Sequence, residues 1–154
     1  MSFYRTLIIY FDGACQNNPN GPAGCGWAIY EMDDYGCDGF RVASGNRYLG
    51  FNLSNNQAEY IGLIEALAYM QMNNIGCHEL LIRGDSLLVI NQMTGFYQIR
   101  NQRLFNFYNT VSNKLSWINS DYVEFAHIDR YYNGEADFLA KTAIPSMTNG
   151  AMWD

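Results

Sequence analysis

The chain has 154 residues, 49% of them hydrophobic, and its 9 lysines and arginines face 15 aspartates and glutamates for a formal net charge of −6. A chain of that length buries about two-thirds of its unfolded surface, so folding needs neither a disulfide nor a metal. The acidic balance excludes a general polyanion binder with a basic stripe, and no apolar run approaches the roughly 18 residues of a membrane span.

Met1 to Arg5 lacks the shape of a signal peptide. Cys15, Cys25, Cys37 and Cys77 show no C-x-x-C spacing, which points to reduced thiols in a soluble cytoplasmic protein. No linker, repeat or low-complexity stretch divides the chain. A single domain over residues 1–154 is expected, with a core of about residues 5–144 and a tail of residues 145–154, and a monomer is expected.

The first element is the apolar run Leu7 to Phe11, a buried central strand that ends on Asp12 before the turn-rich Asn17 to Pro22. Gly24 to Met32 alternates as a second strand, with Trp27 and Ile29 on one face and Ala28 and Tyr30 on the other. A third strand runs from about Phe40 to Phe51, interrupted at Gly45-Asn46 by a bulge or turn. Connections this short make the three an antiparallel meander.

From Gln57 to Met72 the apolar period becomes helical and covers most of the circumference, which marks a core helix with Asn56 at its N-cap and Glu59 able to close a capping box. Leu80 to Gly84 is a further strand that ends on Asp85. Short helix Leu87 to Met93 and longer helix Gln102 to Trp117 follow, then strand Asp121 to Ile128. A last helix starts near Asn133 or Gly134 and ends at Ile144 before Pro145, and Gly150 to Asp154 is expected to be loosely held.

Two strands thus deliver a carboxylate to their carboxyl ends, where open α/β sheets place their sites. Each acid singled out along the chain has an ordinary alternative: Asp12 in a turn, Glu59 in a cap, Asp85 as an N-cap for the Leu87 helix, and Asp137 as a solvated residue of the last helix.

The ordered set Asp12-Gly13-Ala14-Cys15, Asn18-Pro19, Gly21-Pro22-Ala23-Gly24, Asn55-Asn56-Gln57-Ala58-Glu59, Gly84-Asp85-Ser86, His127-Ile128, Arg130, Asn133 and Ala136-Asp137-Phe138-Leu139-Ala140 resembles the successive motifs of type 1 ribonuclease H. The resemblance spans Leu7 to Ala143. It implies an α/β ribonuclease H-like fold: a five-stranded mixed sheet, order 3-2-1-4-5, flanked by helices.

The resemblance further implies that Asp12, Glu59, Asp85 and Asp137 bind two Mg²⁺ ions, with Mn²⁺ able to substitute, since all-oxygen ligands suit hard cations. Four converging acids repel unless cations neutralise them. The implied reaction is two-metal hydrolysis of the RNA strand of an RNA/DNA hybrid, leaving 5′-phosphate and 3′-hydroxyl ends. His127 matches the family's histidine that assists proton transfer or product release, a role that suits imidazole. Asn18, Ser54, Asn55, Asn56 and the backbone of Cys15 match positions that contact the substrate, where uncharged groups sense the 2′-hydroxyl.

Two departures stand out. The short Phe96 to Asn101 segment leaves no room for the basic protruding helix of the bacterial branch, so the chain resembles the archaeal, plant and phage-like branch. Leu87 stands where the family commonly has Gln. Two alternatives remain open: a nuclease of the same fold that prefers another substrate such as double-stranded RNA, and a catalytically silent hybrid-binding module.

Overall fold

The computed structural model describes residues 1–146. Five strands, β1 (Ser2–Cys15), β2 (Ala23–Met32), β3 (Asp38–Gly50), β4 (Ile75–Gly84) and β5 (Ser120–His127), form one sheet in the order β3-β2-β1-β4-β5. β1 pairs antiparallel with β2 and β2 with β3, whereas β4 runs parallel to both β1 and β5. The helices are α1 (Asn55–Met72), α2 (Leu87–Met93), α3 (Gln102–Trp117) and α4 (Gly134–Thr142). Sheet type and strand order are those the sequence implied.

The period-two pattern of β1 divides the core. Leu7, Ile9 and Phe11 join Trp27, Ile29, Leu80 and Ile82 on one face, packed with Tyr60, Leu63 and Leu67 of α1 and with Leu104 and Val111 of α3. Each fully buried large side chain there stabilises the fold by about 1.5–3 kcal/mol.

α4 covers the other face, and its approach depends on Gly26. A Cβ there would lie 2.5 Å from Ala136 O and 2.6 Å from Ala140 N. On the first face, Gly13 does the same for α1, since a Cβ would lie 2.3 Å from Glu59 N. Two glycines near the end of neighbouring strands therefore let two helices close on the sheet from opposite sides.

Several boundaries differ from the sequence reading. β1 extends beyond Leu7–Asp12 in both directions because Ser2 pairs with Ile75 and Cys15 with Ala23. These ends lack an apolar pattern, so only strand pairing defines them. β4 begins at Ile75 for the same reason.

Gly45-Asn46 does not interrupt β3, because Gly45 pairs with Trp27 and Asn46 with Gly26. The register shifts lie elsewhere, beside Ala23, Ile29 and Tyr30.

The cap of α1 is a correction. Ser54 occupies the N-cap with extended backbone, its hydroxyl accepts from Gln57 N, and the Gln57 side chain accepts from Ser54 N. Ser54 and Gln57 form the capping box expected of Asn56 and Glu59. Likewise Ser86, not Asp85, caps α2. Capping by neighbours leaves Glu59 and Asp85 free for other work.

α4 stops at Thr142, short of Ile144, and a 3-10 turn at Arg130–Asn133 precedes it. Asp129 stabilises that turn by accepting from Tyr131 N. All four cysteines are free thiols. The expectation for Gly150 to Asp154 lies outside the described residues. Among the described residues, no helix is long and apolar enough to cross a membrane.

Gly26→Ala should push α4 off the sheet, since the new methyl meets backbone rather than a yielding side chain. Overpacking of this kind costs about 1–3 kcal/mol. Urea denaturation of the variant and the parent protein should show that loss, and an unchanged midpoint would mean that α4 is not held by this contact.

Candidate active site

Three elements bring acids to one end of the sheet. Asp12 lies near the end of β1, Asp85 directly follows β4, and Glu59 sits in the first turns of α1, brought close by Gly13. One carboxylate oxygen from each of the three lies within 4.8 Å of the others. Asp12 is 4% exposed and Glu59 7% exposed, so two of the charges are nearly removed from water.

Asp137, in the first turn of α4, arrives from the opposite face of the sheet. It lines the same cavity, of about 230 Å³, but is not part of the tight trio. Its Oδ2 lies 3.1 Å from Lys141 Nζ, one turn along the helix.

The electrostatics follow from this crowding. Burial pushes the Asp12 carboxyl up to about 6, and the charges of Asp85 and Asp137 add to that rise. Hydrogen bonds from Glu59 and from Gly13 N, at 2.9 Å to Asp12 Oδ1, oppose it. Glu59 is raised well above the usual carboxylate range, first by burial and then by the negative charge and hydrogen bond of Asp12.

Both carboxyls thus hold a proton to higher pH than an ordinary carboxylate does. Without a cation the cluster relieves its repulsion by holding a proton.

The cluster also fits a hard divalent cation. Glu59 Oε2 is buried and has no hydrogen-bond partner among the described residues. An orphaned carboxylate oxygen beside two more acids is costly as a purely structural arrangement, and a cation would satisfy it. An all-oxygen donor set selects Mg²⁺ or Mn²⁺ over softer metals.

His127 ends β5 and is exposed, with Nε2 3.2 Å from the backbone carbonyl of Asp85. That contact sets the ring beside the cluster without placing it in the cavity wall. Cys15 and Asn55 do line the cavity.

Asn18 is exposed, and its Oδ1 accepts from Asn55 N at 2.9 Å, which joins the loop after β1 to the start of α1. Asn20 N, donating to Leu53 O at 2.8 Å, closes the same two loops. Ser54 is committed to the cap of α1, while Asn56 is half-buried in the first turn.

The sequence reading assigned no role to three residues that the fold brings here. Arg130 and Lys141 line the cavity. Asn133, 1% exposed, donates from Nδ2 to Phe11 O at 2.9 Å and to Asp85 Oδ2 at 3.1 Å. The spacing of Lys141 four residues after Asp137 on one helix was a usable signal. Nothing local indicated that Asn133 points at an acid 48 residues away.

A family model described as reverse transcriptase-like matches residues 10–143. Ribonuclease HI of Halobacterium salinarum is 36% identical over 135 residues, covering 88% of this chain and 62% of that protein. A bifunctional protein of Mycobacterium tuberculosis is 30% identical over 143 residues, covering 89% of this chain and 37% of its own length. The chain therefore spans under two-thirds of these curated relatives.

Among solved structures, RNase H1 from Halobacterium salinarum superposes with a TM-score of 0.78 at 36% identity, over 90% of this chain and 96% of that one. LC11-RNase H1, solved in complex with an RNA/DNA hybrid, gives 0.78 at 33% identity over 90% and 96%. A family match over nearly the whole sheet and its helices, with a solved relative covered almost end to end, makes this chain a member of the type 1 ribonuclease H family.

Proposed function

We propose that the protein is a ribonuclease H that hydrolyses the RNA strand of RNA/DNA hybrids and leaves 5′-phosphate and 3′-hydroxyl ends. The observation that carries this reading is the buried trio of Asp12, Glu59 and Asp85 with its unpartnered Glu59 oxygen. Family membership and the hybrid bound by LC11-RNase H1 support the substrate.

Asp12, Glu59 and Asp85 would hold divalent cations, Mg²⁺ or Mn²⁺, with Asp137 completing a site for two ions. When bound, such ions stabilise negative charge on the scissile phosphate and acidify water that attacks it. As ligands Asp12 and Glu59 would be ionised, a proton held by the cation-free cluster passing to solvent. Asp137 would leave its ion pair with Lys141 for the same purpose, a small cost for a partly exposed pair.

His127 carries a proton to or from the reacting groups, its ring steadied by the Asp85 carbonyl. Cys15 through its backbone, with Asn18, Asn55 and Asn56, contacts the sugar edge and reads the 2′-hydroxyl without charge. Ser54 acts by holding the start of α1, which carries Asn55, Asn56 and Glu59. Arg130 and Lys141 contact phosphate at the cavity edge.

The test is cleavage of matched RNA/DNA hybrid, RNA duplex and DNA duplex, with Mg²⁺, with Mn²⁺ and with chelator. Hybrid cutting in the RNA strand, dependent on metal, is expected. Equal or better cutting of the RNA duplex would replace the substrate, and no cutting of any duplex would replace the activity.

Three outcomes follow from the site. Asp12→Asn should abolish hybrid cleavage while raising the metal-free melting temperature at pH 7.5, because it removes a charge from a repelling cluster. Substantial residual cleavage would take Asp12 out of the metal site. His127→Ala should lower turnover by roughly one to three orders of magnitude with the melting temperature retained. Parent-level turnover would leave His127 without a role in the reaction.

The third concerns pH. Burial pushes the Asp12 carboxyl from 3.8 up to about 6 and raises Glu59 as well, so the folded cluster keeps a proton to higher pH than the unfolded chain does. Stability from this group is therefore present at low pH and lost as pH rises between those values. Cation binding should offset the loss, so the rise in melting temperature on adding Mg²⁺ should be larger at pH 7.5 than at pH 5. An equal rise at both would contradict a proton held in the cluster.

A further inference from the structure

Asn133 stands at the N-cap position of α4, where an asparagine side chain ordinarily accepts a backbone N–H of the first turn. It makes no such bond. Its amide instead reaches across the sheet end to Phe11 O and Asp85 Oδ2, both of which only accept. The amide orientation is thereby fixed, since a flipped group would set its oxygen against two others.

The cost of that orientation is visible. Asn133 Oδ1 is buried without a partner among the described residues, so the residue leaves both its helix cap and its side-chain carbonyl unsatisfied to keep these two donations. Such an arrangement has no evident gain for α4.

We infer that Asn133 is a positioning residue that sets the Asp85 carboxylate for cation binding: one N–H ties it to the end of β1, the other occupies Asp85 Oδ2, and the remaining Asp85 oxygen is left for the metal. This rests on the reading of the acid cluster as a cation site. By bridging Phe11 and Asp85, the amide also fixes the spacing between the tips of β1 and β4, which carry Asp12 and Asp85. Asn133 is no ligand itself and works through Asp85 and through the spacing of the two strand tips.

The test is calorimetric titration of substrate-free protein with Mn²⁺, for the parent, Asn133→Ala, Asn133→Ser and Gln92→Leu. Gln92 is a second buried side-chain amide, bonded to Tyr60 in the core, and its loss reports destabilisation without contact to the site. Loss of a partner that orients a metal ligand typically weakens binding about 10–100-fold. Asn133→Ala should show that loss, Asn133→Ser, which keeps one donor, should fall between, and Gln92→Leu should bind as the parent does despite lower stability.

Asn133→Ala binding within about twofold of the parent, or Gln92→Leu weakened as much as Asn133→Ala, would overturn the assignment. Should neither Asn133 variant fold, the side-chain amide signal of ¹⁵N-labelled parent protein decides. It should exchange slowly with solvent and be broadened by Mn²⁺ with the same midpoint, whereas rapid exchange or indifference to the metal overturns it. A parent protein that binds no Mn²⁺ fails differently, by removing the cation site itself.

Discussion

The mutual repulsion of carboxylates at the end of the sheet is the constraint on which the arrangement of this protein turns. Placing Asp12 and Glu59 out of water beside Asp85 costs several kcal/mol unless charge is removed or matched. That cost is comparable with the whole stability of an ordinary domain. The remainder of the fold must hold the acids together against it.

It does so through packing on both faces of one rigid strand. β1 is paired on both sides, and its side chains alternate between the α1–α3 core and the face under α4. Close approach at Gly13 brings Glu59 in from one face, and close approach at Gly26 brings α4 and Asp137 in from the other. The site lies where both helices reach the same sheet end. Its precision is that of close-packed backbone rather than of flexible loops.

The polar shell around the acids divides the remaining work. Gly13 N holds Asp12, Asn133 holds Asp85, Lys141 pairs with Asp137, and Glu59 keeps one oxygen with no protein partner. Asp12, Asp85 and Asp137 are thus oriented by donors, and one Glu59 oxygen is left open to a cation. The loops beside them are closed by main-chain bonds between Asn20, Asn52 and Leu53, which sets Asn18 and Asn55 at the cavity edge.

The amino-acid sequence by itself determined most of the strands, the core helix and the placement of Asp12 and Asp85 at strand ends, because side-chain period and strand-end placement are local properties that short windows carry. Strand order, the roles expected of Glu59, Asp137 and His127, and the expected substrate class came from the motif resemblance, whose residues are likewise short and contiguous. Only the tertiary structure decided that Ser54 and Ser86 take the capping roles open to Glu59 and Asp85, that Asp137 stands apart from the trio with Lys141, and that Asn133 forsakes its helix for Asp85. Those outcomes depend on strand register and on how closely α1 and α4 approach the sheet. Both are set by contacts between residues far apart in the chain, which no local pattern encodes.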